Sequence, residues 1–254
     1  MIAGKGNAMS QIKAQNFSGN RYSRLYDPST QETIDILGAK IKVLENFAGA
    51  AIDTNLWTEV DTADATKATA LGLNTYTLLA TAQTEDAGIM GVDVRYNIDK
   101  GVIFEARLSV SVLPTVTSEF ILGLQNDAWA SGSNLVAGAD EVAKHAFFVL
   151  NGAVATGLDL VIYKDDGVDQ DAIDTGINIT ASATGFKIFR VDATNSASVK
   201  FYVDGVRVCP TTTFKMNTVA GLLVFPIAAM VKNGANAGLG AFVLDYLKIW
   251  QLER

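Results

Sequence analysis

The chain has 254 residues, 49% of them hydrophobic and 19% charged, with 22 Gly, 4 Pro, 1 Cys and 1 His. That composition excludes a disordered or fibrous protein, and so few cysteine and histidine residues exclude a disulfide scaffold or a zinc-finger-type fold. The net charge of −7 sets the chain against nucleic acid and anionic membranes, but the charge is uneven: residues 1–26 hold Lys5, Lys13, Arg21 and Arg24 and no acid, leaving −11 for the remainder.

Taken in chain order, residues 1–10 lack the apolar core of a secretory leader, and no apolar run anywhere reaches membrane-spanning length. Residues 1–26 show neither a 2-residue nor a 3.6-residue period, which predicts an extended arm that gains order only against an outside surface. Its end, Tyr22 to Thr30, adds tyrosines and an arginine, residue types that anchor interfaces. Lys5, Lys13, Phe17, Arg21, Tyr22, Arg24, Leu25 and Tyr26 are therefore the candidate partner-binding residues. Thr33 to Phe47 alternates as one or two short strands broken at Gly38, so the arm is taken as 1–44 and the main domain as 45–254.

Within that domain, Val102 to Ser111 places Val102, Phe104, Ala106, Leu108 and Val110 on one face and Glu105, Arg107, Ser109 and Ser111 on the other. Phe120 to Leu124, Ala146 to Leu150, Leu158 to Tyr163, Phe186 to Val191 and Ala241 to Trp250 are short β-rich runs of the same kind. Val199 to Val208 holds Asp204-Gly205 between two such runs, the expected two-residue hairpin turn. Leu222 to Val231 reads as a buried strand with a bulge or an edge at Pro226. A single helix is expected, over Gly138 to His145. Many strands and short turns define an all-β sandwich or barrel.

Four segments occur in an order that resembles the concanavalin A-like lectin/glucanase jelly roll, a sandwich of two antiparallel sheets. They are Gly101-Val-Ile-Phe-Glu-Ala-Arg-Leu, Gly185-Phe-Lys-Ile-Phe-Arg-Val-Asp, Val199-Lys-Phe-Tyr-Val-Asp-Gly-Val-Arg-Val and Leu244-Asp-Tyr-Leu-Lys-Ile-Trp-Gln. The resemblance implies that a hydrolase of this family would carry two glutamates and an aspartate at alternate positions of the strand after Phe120-Ile-Leu-Gly. No Glu-x-Asp-x-Glu or Glu-x-Asp-x-x-Glu occurs, and the acidic pairs Asp140-Glu141 and Glu85-Asp86 are adjacent, so each would split between two faces of a strand. No catalytic residue is assigned.

A triad at His145 would need an orienting acid and a nucleophile that the sequence does not place, and Cys209 reads as a small apolar residue closing the Asp-Gly hairpin. Asp165, Asp166, Asp169 and Asp171, with Asp174, crowd one turn. They read first as a solvated acidic turn and, more weakly, as oxygen ligands for calcium. Asn126, Asp127 and Trp129 combine an aromatic platform with short polar groups, as a carbohydrate contact would. Arg24-Leu-Tyr-Asp-Pro-Ser-Thr with Ile34-Asp-Ile-Leu-Gly is similar to segments of structural proteins of tailed-bacteriophage virions.

That second resemblance implies a non-enzymatic capsid decoration protein on the virion surface, made in the host cytoplasm. It would be held to the major capsid protein or another virion subunit through its arm and assembled as a homotrimer, without a cofactor. A non-enzymatic carbohydrate-binding module is the alternative, and a divergent glycoside hydrolase the third reading.

Overall fold

The computed structural model describes residues 13–16, 23–27, 32–35, 39–47, 52–61, 65–70, 72–79, 84–91, 95–115, 118–126, 144–152, 159–168, 170–232 and 238–252. Strands β1 (Lys13–Asn16), β2 (Ser23–Asp27) and β3 (Glu32–Asp35) form a separate three-stranded antiparallel meander in that order. The expectation that residues 1–26 find no order of their own is thus corrected for β1 and β2: Ala14 pairs with Leu25 and Leu25 with Ile34, so these strands bond to one another and to β3. A second correction concerns the boundary, because the cut at 44/45 falls inside β4 (Ala39–Glu45), which belongs to the sandwich.

The sandwich continues through β5 (Trp57–Asp61), β6 (Thr66–Ala70), β7 (Leu73–Leu78), β8 (Glu85–Gly91), β9 (Tyr96–Asn97), β10 (Val102–Val112), β11 (Ser118–Gln125) and β12 (His145–Asn151). It ends with β13 (Asp159–Asp165), β14 (Gln170–Asn178), β15 (Lys187–Ala193), β16 (Lys200–Val203), β17 (Val206–Val208), β18 (Leu223–Lys232) and β19 (Gly240–Leu252). The first sheet runs β17-β16-β15-β10-β19-β7-β6 and the second β14-β13-β12-β11-β18-β8-β5, all pairs antiparallel. Two long strands serve two neighbours on one flank: β19 pairs with β7 and then β4, and β18 pairs with β8 and then β9.

The core lies between the sheets and follows the predicted alternation. Val102, Phe104, Ala106, Leu108 and Val110 of β10 point inward and are buried, while Glu105 and Arg107 remain half-exposed on the other face. Ser109 departs from the pattern; it is buried, and its hydroxyl donates to the Ser182 carbonyl. Phe148 of the second sheet meets Phe189 and Phe201 of the first edge-on at 5.3 and 5.2 Å, and Tyr76 stacks on Phe242 at 5.0 Å. The two Phe148 contacts cross between the sheets and add to area burial in fixing how they sit on each other, while the Tyr76–Phe242 stack lies within the first sheet.

The Asp204-Gly205 turn takes the left-handed conformation at both residues, φ 50° and 80°, as a two-residue hairpin with a right-handed twist requires. Pro226 stands inside a central strand rather than at a bulge: it pairs with Leu124 of β11, and on its other flank the ladder to β8 begins only at Ile227. The missing N–H therefore falls where β18 passes from β8 to β9. Gly138 to Ala143 lie outside the described residues, and His145, the last residue of the expected helix, opens strand β12. Among the described residues no helix is long and apolar enough to cross a membrane.

Truncating Phe148 to Ala removes a ring that two aromatic contacts, to Phe189 and Phe201, hold at the centre of the core. We expect a loss of about 3–5 kcal/mol and a midpoint lowered by roughly 10 °C in a thermal melt. Val206, which is 68% exposed at the sheet end, should tolerate Ala within about 0.5 kcal/mol in the same melt.

Candidate functional site

The two outer faces differ in kind. That of the first sheet is a solvated lattice of ion pairs and cation–ring contacts. Arg190 meets Glu105 at 3.2 Å and lies over Trp250, Arg107 pairs with Asp245, and Lys248 stands 4.1 Å from the centre of the Tyr246 ring. The outer face of the second sheet is apolar and buried.

Register lays out that second face in rows. Even positions of β11 (Phe120, Leu122, Leu124) enter the core, so Glu119, Ile121, Gly123 and Gln125 face outward. Pairing then aligns Asn151, Glu119, Val231 and Asp86 across β12, β11, β18 and β8; the next row is Val149, Ile121, Ala229 and Gly88. The third row is Phe147, Gly123, Ile227 and Met90, and His145, Gln125 and Phe225 close the face. Ile121, Phe147, Val149, Phe225, Ile227, Ala229, Val231 and Met90 form one buried apolar cluster, with Tyr163 packed against it. The alternate outward positions of β12 are therefore His145, Phe147, Val149 and Asn151, none of them a carboxylate.

The polar groups sit at the two ends of this face. Asn151 donates to Glu119 Oε1 at 2.6 Å, and burial pushes the Glu119 carboxyl up to about 7. Glu85 and Asp86 do split between faces: Glu85 turns inward to Lys232 at 3.3 Å, while Asp86 shares the Glu119 row. Glu119 and Asp86 are two strand spacings apart, about 10 Å between main chains, with Val231 between them. A retaining glycosidase brings its carboxyls to within about 5 Å. This acidic row escapes a search for motifs because its members lie on different strands and come together only through register.

At the other end, His145 is fully buried and its ring stacks on Phe147 at 4.6 Å. Gln125 is fully buried as well, and its amide makes no hydrogen bond among the described residues. Asn126 follows: its Oδ1 accepts from the Lys144 N–H at 3.0 Å and its own N–H donates to the Lys144 carbonyl at 3.1 Å, fastening the ends of β11 and β12 together. Asp127 and Trp129, the other two candidates for carbohydrate contact, lie outside the described residues.

The acidic turn is not simply solvated. Lys164 and Asp166 are 1% and 2% exposed, and the Lys164 ammonium stands 3.8 Å from Asp166 and 3.3 Å from Asp171. Asp166 also accepts from the Thr218 hydroxyl at 2.5 Å and the Val168 N–H at 3.0 Å, and Asp165 accepts from the Gly167 N–H at 2.6 Å. A lysine thus occupies the position a cation would take between Asp166 and Asp171. Asp169 lies outside the described residues, among which no group of three or more acidic, histidine or cysteine side chains is placed to hold a metal.

Cys209 packs against the core at the end of the hairpin, and burial, then the charge of Asp174, push its thiol up, away from a reactive thiolate. Of the arm residues, Lys13 lies in β1 and Arg24, Leu25 and Tyr26 in β2. Lys5, Phe17, Arg21 and Tyr22 lie outside the described residues.

With this geometry the chain has the fold of a concanavalin A-like β-sandwich of two antiparallel sheets. The fold is similar to the carbohydrate recognition domain of Emp47p, with 11% identity and a TM-score of 0.55 over 86% of this chain and 99% of that one. It is similar to a glycosyl hydrolase family protein from Mycobacterium fortuitum (14%, 0.55, 84% and 100%) and to a Bacillus licheniformis β-glucanase (10%, 0.52, 83% and 97%). At these identities the likeness establishes the fold. No family model and no curated protein sequence matches the chain.

The Glu119 carboxyl gives a pH test of this face. Its folded value lies above the ordinary 4.5, so the native state holds the proton more tightly and loses stability as pH rises from about 4.5 to 7. Glu119→Gln, which keeps an acceptor for Asn151, should match the wild type at pH 4. At pH 8 it should be more stable by an amount on the order of 3 kcal/mol or less. Denaturant melts across that range check it; an unchanged pH slope in the variant contradicts the assignment.

Proposed function

We propose that this protein is a virion structural protein, a capsid decoration sandwich without catalytic chemistry that is attached through its N-terminal segment. The observation that carries the reading is the outer face of the second sheet. Glycoside hydrolysis needs two carboxyl groups flanking the scissile bond, and here the middle of that face is packed with Ile121, Phe147, Val149, Ile227 and Ala229. The assembly side of the reading is supported by the virion-like segments Arg24–Thr30 and Ile34–Gly38. It is also supported by the +4 charge of residues 1–26, set before a sandwich that starts at Ala39. On this reading the partner is the major capsid protein or a neighbouring virion subunit, and the location is the capsid surface.

Gradient-purified particles from the source should contain the chain at fixed stoichiometry. A chain lacking residues 1–38 should melt within a few degrees of the intact one yet fail to bind particles, and binding of the intact chain should weaken as salt rises. Full occupancy by the truncated chain would place the attachment site on the sandwich instead.

Non-enzymatic carbohydrate binding is the second reading. It is favoured by the fold shared with the Emp47p carbohydrate recognition domain. Saturable retention on a glycan array, with no chain on purified particles, would decide for it. Under either reading a polysaccharide panel yields no new reducing ends; turnover abolished by Glu119→Gln or Asp86→Asn would restore the hydrolase reading.

A further inference from the structure

The strands that end the two sheet orders are β17 and β6 on the first and β14 and β5 on the second. An edge strand presents unpaired N–H and C=O groups and invites another strand unless it is short, bent, charged or covered. Three of the four are blunted. β17 has three residues and runs into Cys209, at φ 46°, and Pro210. β14 has a register irregularity opposite Leu160 and Val161, with Gly176 at φ 71°, and carries Asp171 and Asp174. β5 buries Trp57 and half-buries Thr58 and Glu59.

Among the described residues, β6 has none of these devices. Its sequence, Thr-Lys-Ala-Thr-Ala, pairs with β7 over five residues without a register shift, and four of the five are exposed. Its one charge does not guard the edge, because Lys67 is turned across the gap between the sheets to pair with Glu59 of β5.

We infer that β6 is the strand through which two copies of this chain join, antiparallel about a two-fold axis at Ala68. The β6–β7 hairpin closes at Ala70 and Leu73 across a two-residue turn that includes Gly72 at φ 76°. Such a hairpin closes on a hydrogen-bonded pair, and the pairs alternate along the ladder. Ala70, Ala68 and Thr66 therefore direct their main-chain groups to β7, and Lys67 and Thr69 direct theirs to the open edge.

Centred on Ala68, self-pairing sets Lys67 opposite Thr69 of the partner subunit, and Thr69 opposite the partner's Lys67, for four main-chain hydrogen bonds. The two lysines are not directly opposite: they stand two residues apart along the paired strands, and each is held by Glu59 of its own chain. The contact is the same patch on both copies, so it closes at two, unlike the threefold assembly that the virion resemblance implies. It does not depend on the proposed function.

The test uses the full chain and a charge swap at the exposed Ala68, the position that meets itself across the axis. By sedimentation or light scattering at tens of micromolar, the wild type should have twice the 27.0 kDa chain mass. A68K and A68D, each opposing like charges, should dissociate with a constant raised roughly five- to tenfold, and an equimolar mixture should recover the dimer. Recovery by mixing also shows that the single variants are folded. A monomeric wild type overturns the inference, as do single variants that keep the wild-type dissociation constant or a mixture that stays monomeric. So does a dimer indifferent to A68K but lost on deleting residues 1–38, which would assign pairing to the amino-terminal meander.

Discussion

A strand buried on both faces has no side on which an uncompensated charge can stand, and the second sheet is built under that constraint. Its central strands β11, β12 and β18 face the first sheet on one side and the Ile121–Phe147–Ile227 cluster on the other. This is why Phe120–Leu124, Ala146–Leu150 and Val224–Val231 are almost continuously apolar, whereas β10 of the first sheet alternates cleanly. In these central strands Glu119, Gln125, His145, Asn151 and Lys232 all stand within two positions of a strand end.

At those ends, charge is handled by pairing. Lys232 and Glu85 are both fully buried; the lysine also donates to the Leu79 carbonyl at 2.9 Å, and the glutamate accepts from the Leu79 N–H at 2.8 Å. Lys164 plays the same part for Asp166 and Asp171. Deleting one member of a buried pair costs about 3–5 kcal/mol in other proteins because the survivor is left uncompensated. These pairs therefore fix where the strands end more than they add net stability. Glu119, paired with the neutral Asn151 rather than with a cation, meets the same demand by holding a proton near neutral pH.

The sequence made legible what repeats locally. Period-2 alternation marks β10, the Asp-Gly turn marks β16 and β17, and the run to Trp250 marks β19. Between residues 48 and 101 it was silent. β6 is small and polar, and β8 begins with two acids and spends two of its seven positions on glycine, so neither has a strong apolar period. The acidic row of Glu119 and Asp86 was beyond reach for another reason: 33 residues separate its members, and only the β8–β18–β11 register unites them. β3 and β4 fall on either side of the expected break at Gly38, whereas β1 and β2 pair without an apolar repeat that would mark them in the sequence.

The proline in β18 bears on how reliably this sheet assembles. Sliding β18 by two residues against β8 would leave every side chain on its proper face, so burial alone discriminates poorly against that slip. Two small features do discriminate. A Cβ on Gly88 would stand 2.7 Å from the Ala229 Cβ, and one on Gly91 would stand 2.9 Å from Pro226 Cδ, so each glycine accommodates one particular neighbour. A slip of two in either direction would bring Ile227 or Val231 to the close approach at Gly88, and the slip that sets Val224 opposite Gly91 would also carry the proline into the ladder, where its absent N–H leaves a carbonyl unmatched. Pro226, Gly88 and Gly91 thus act as an index notch, selecting one alignment among several that hydrophobicity would accept.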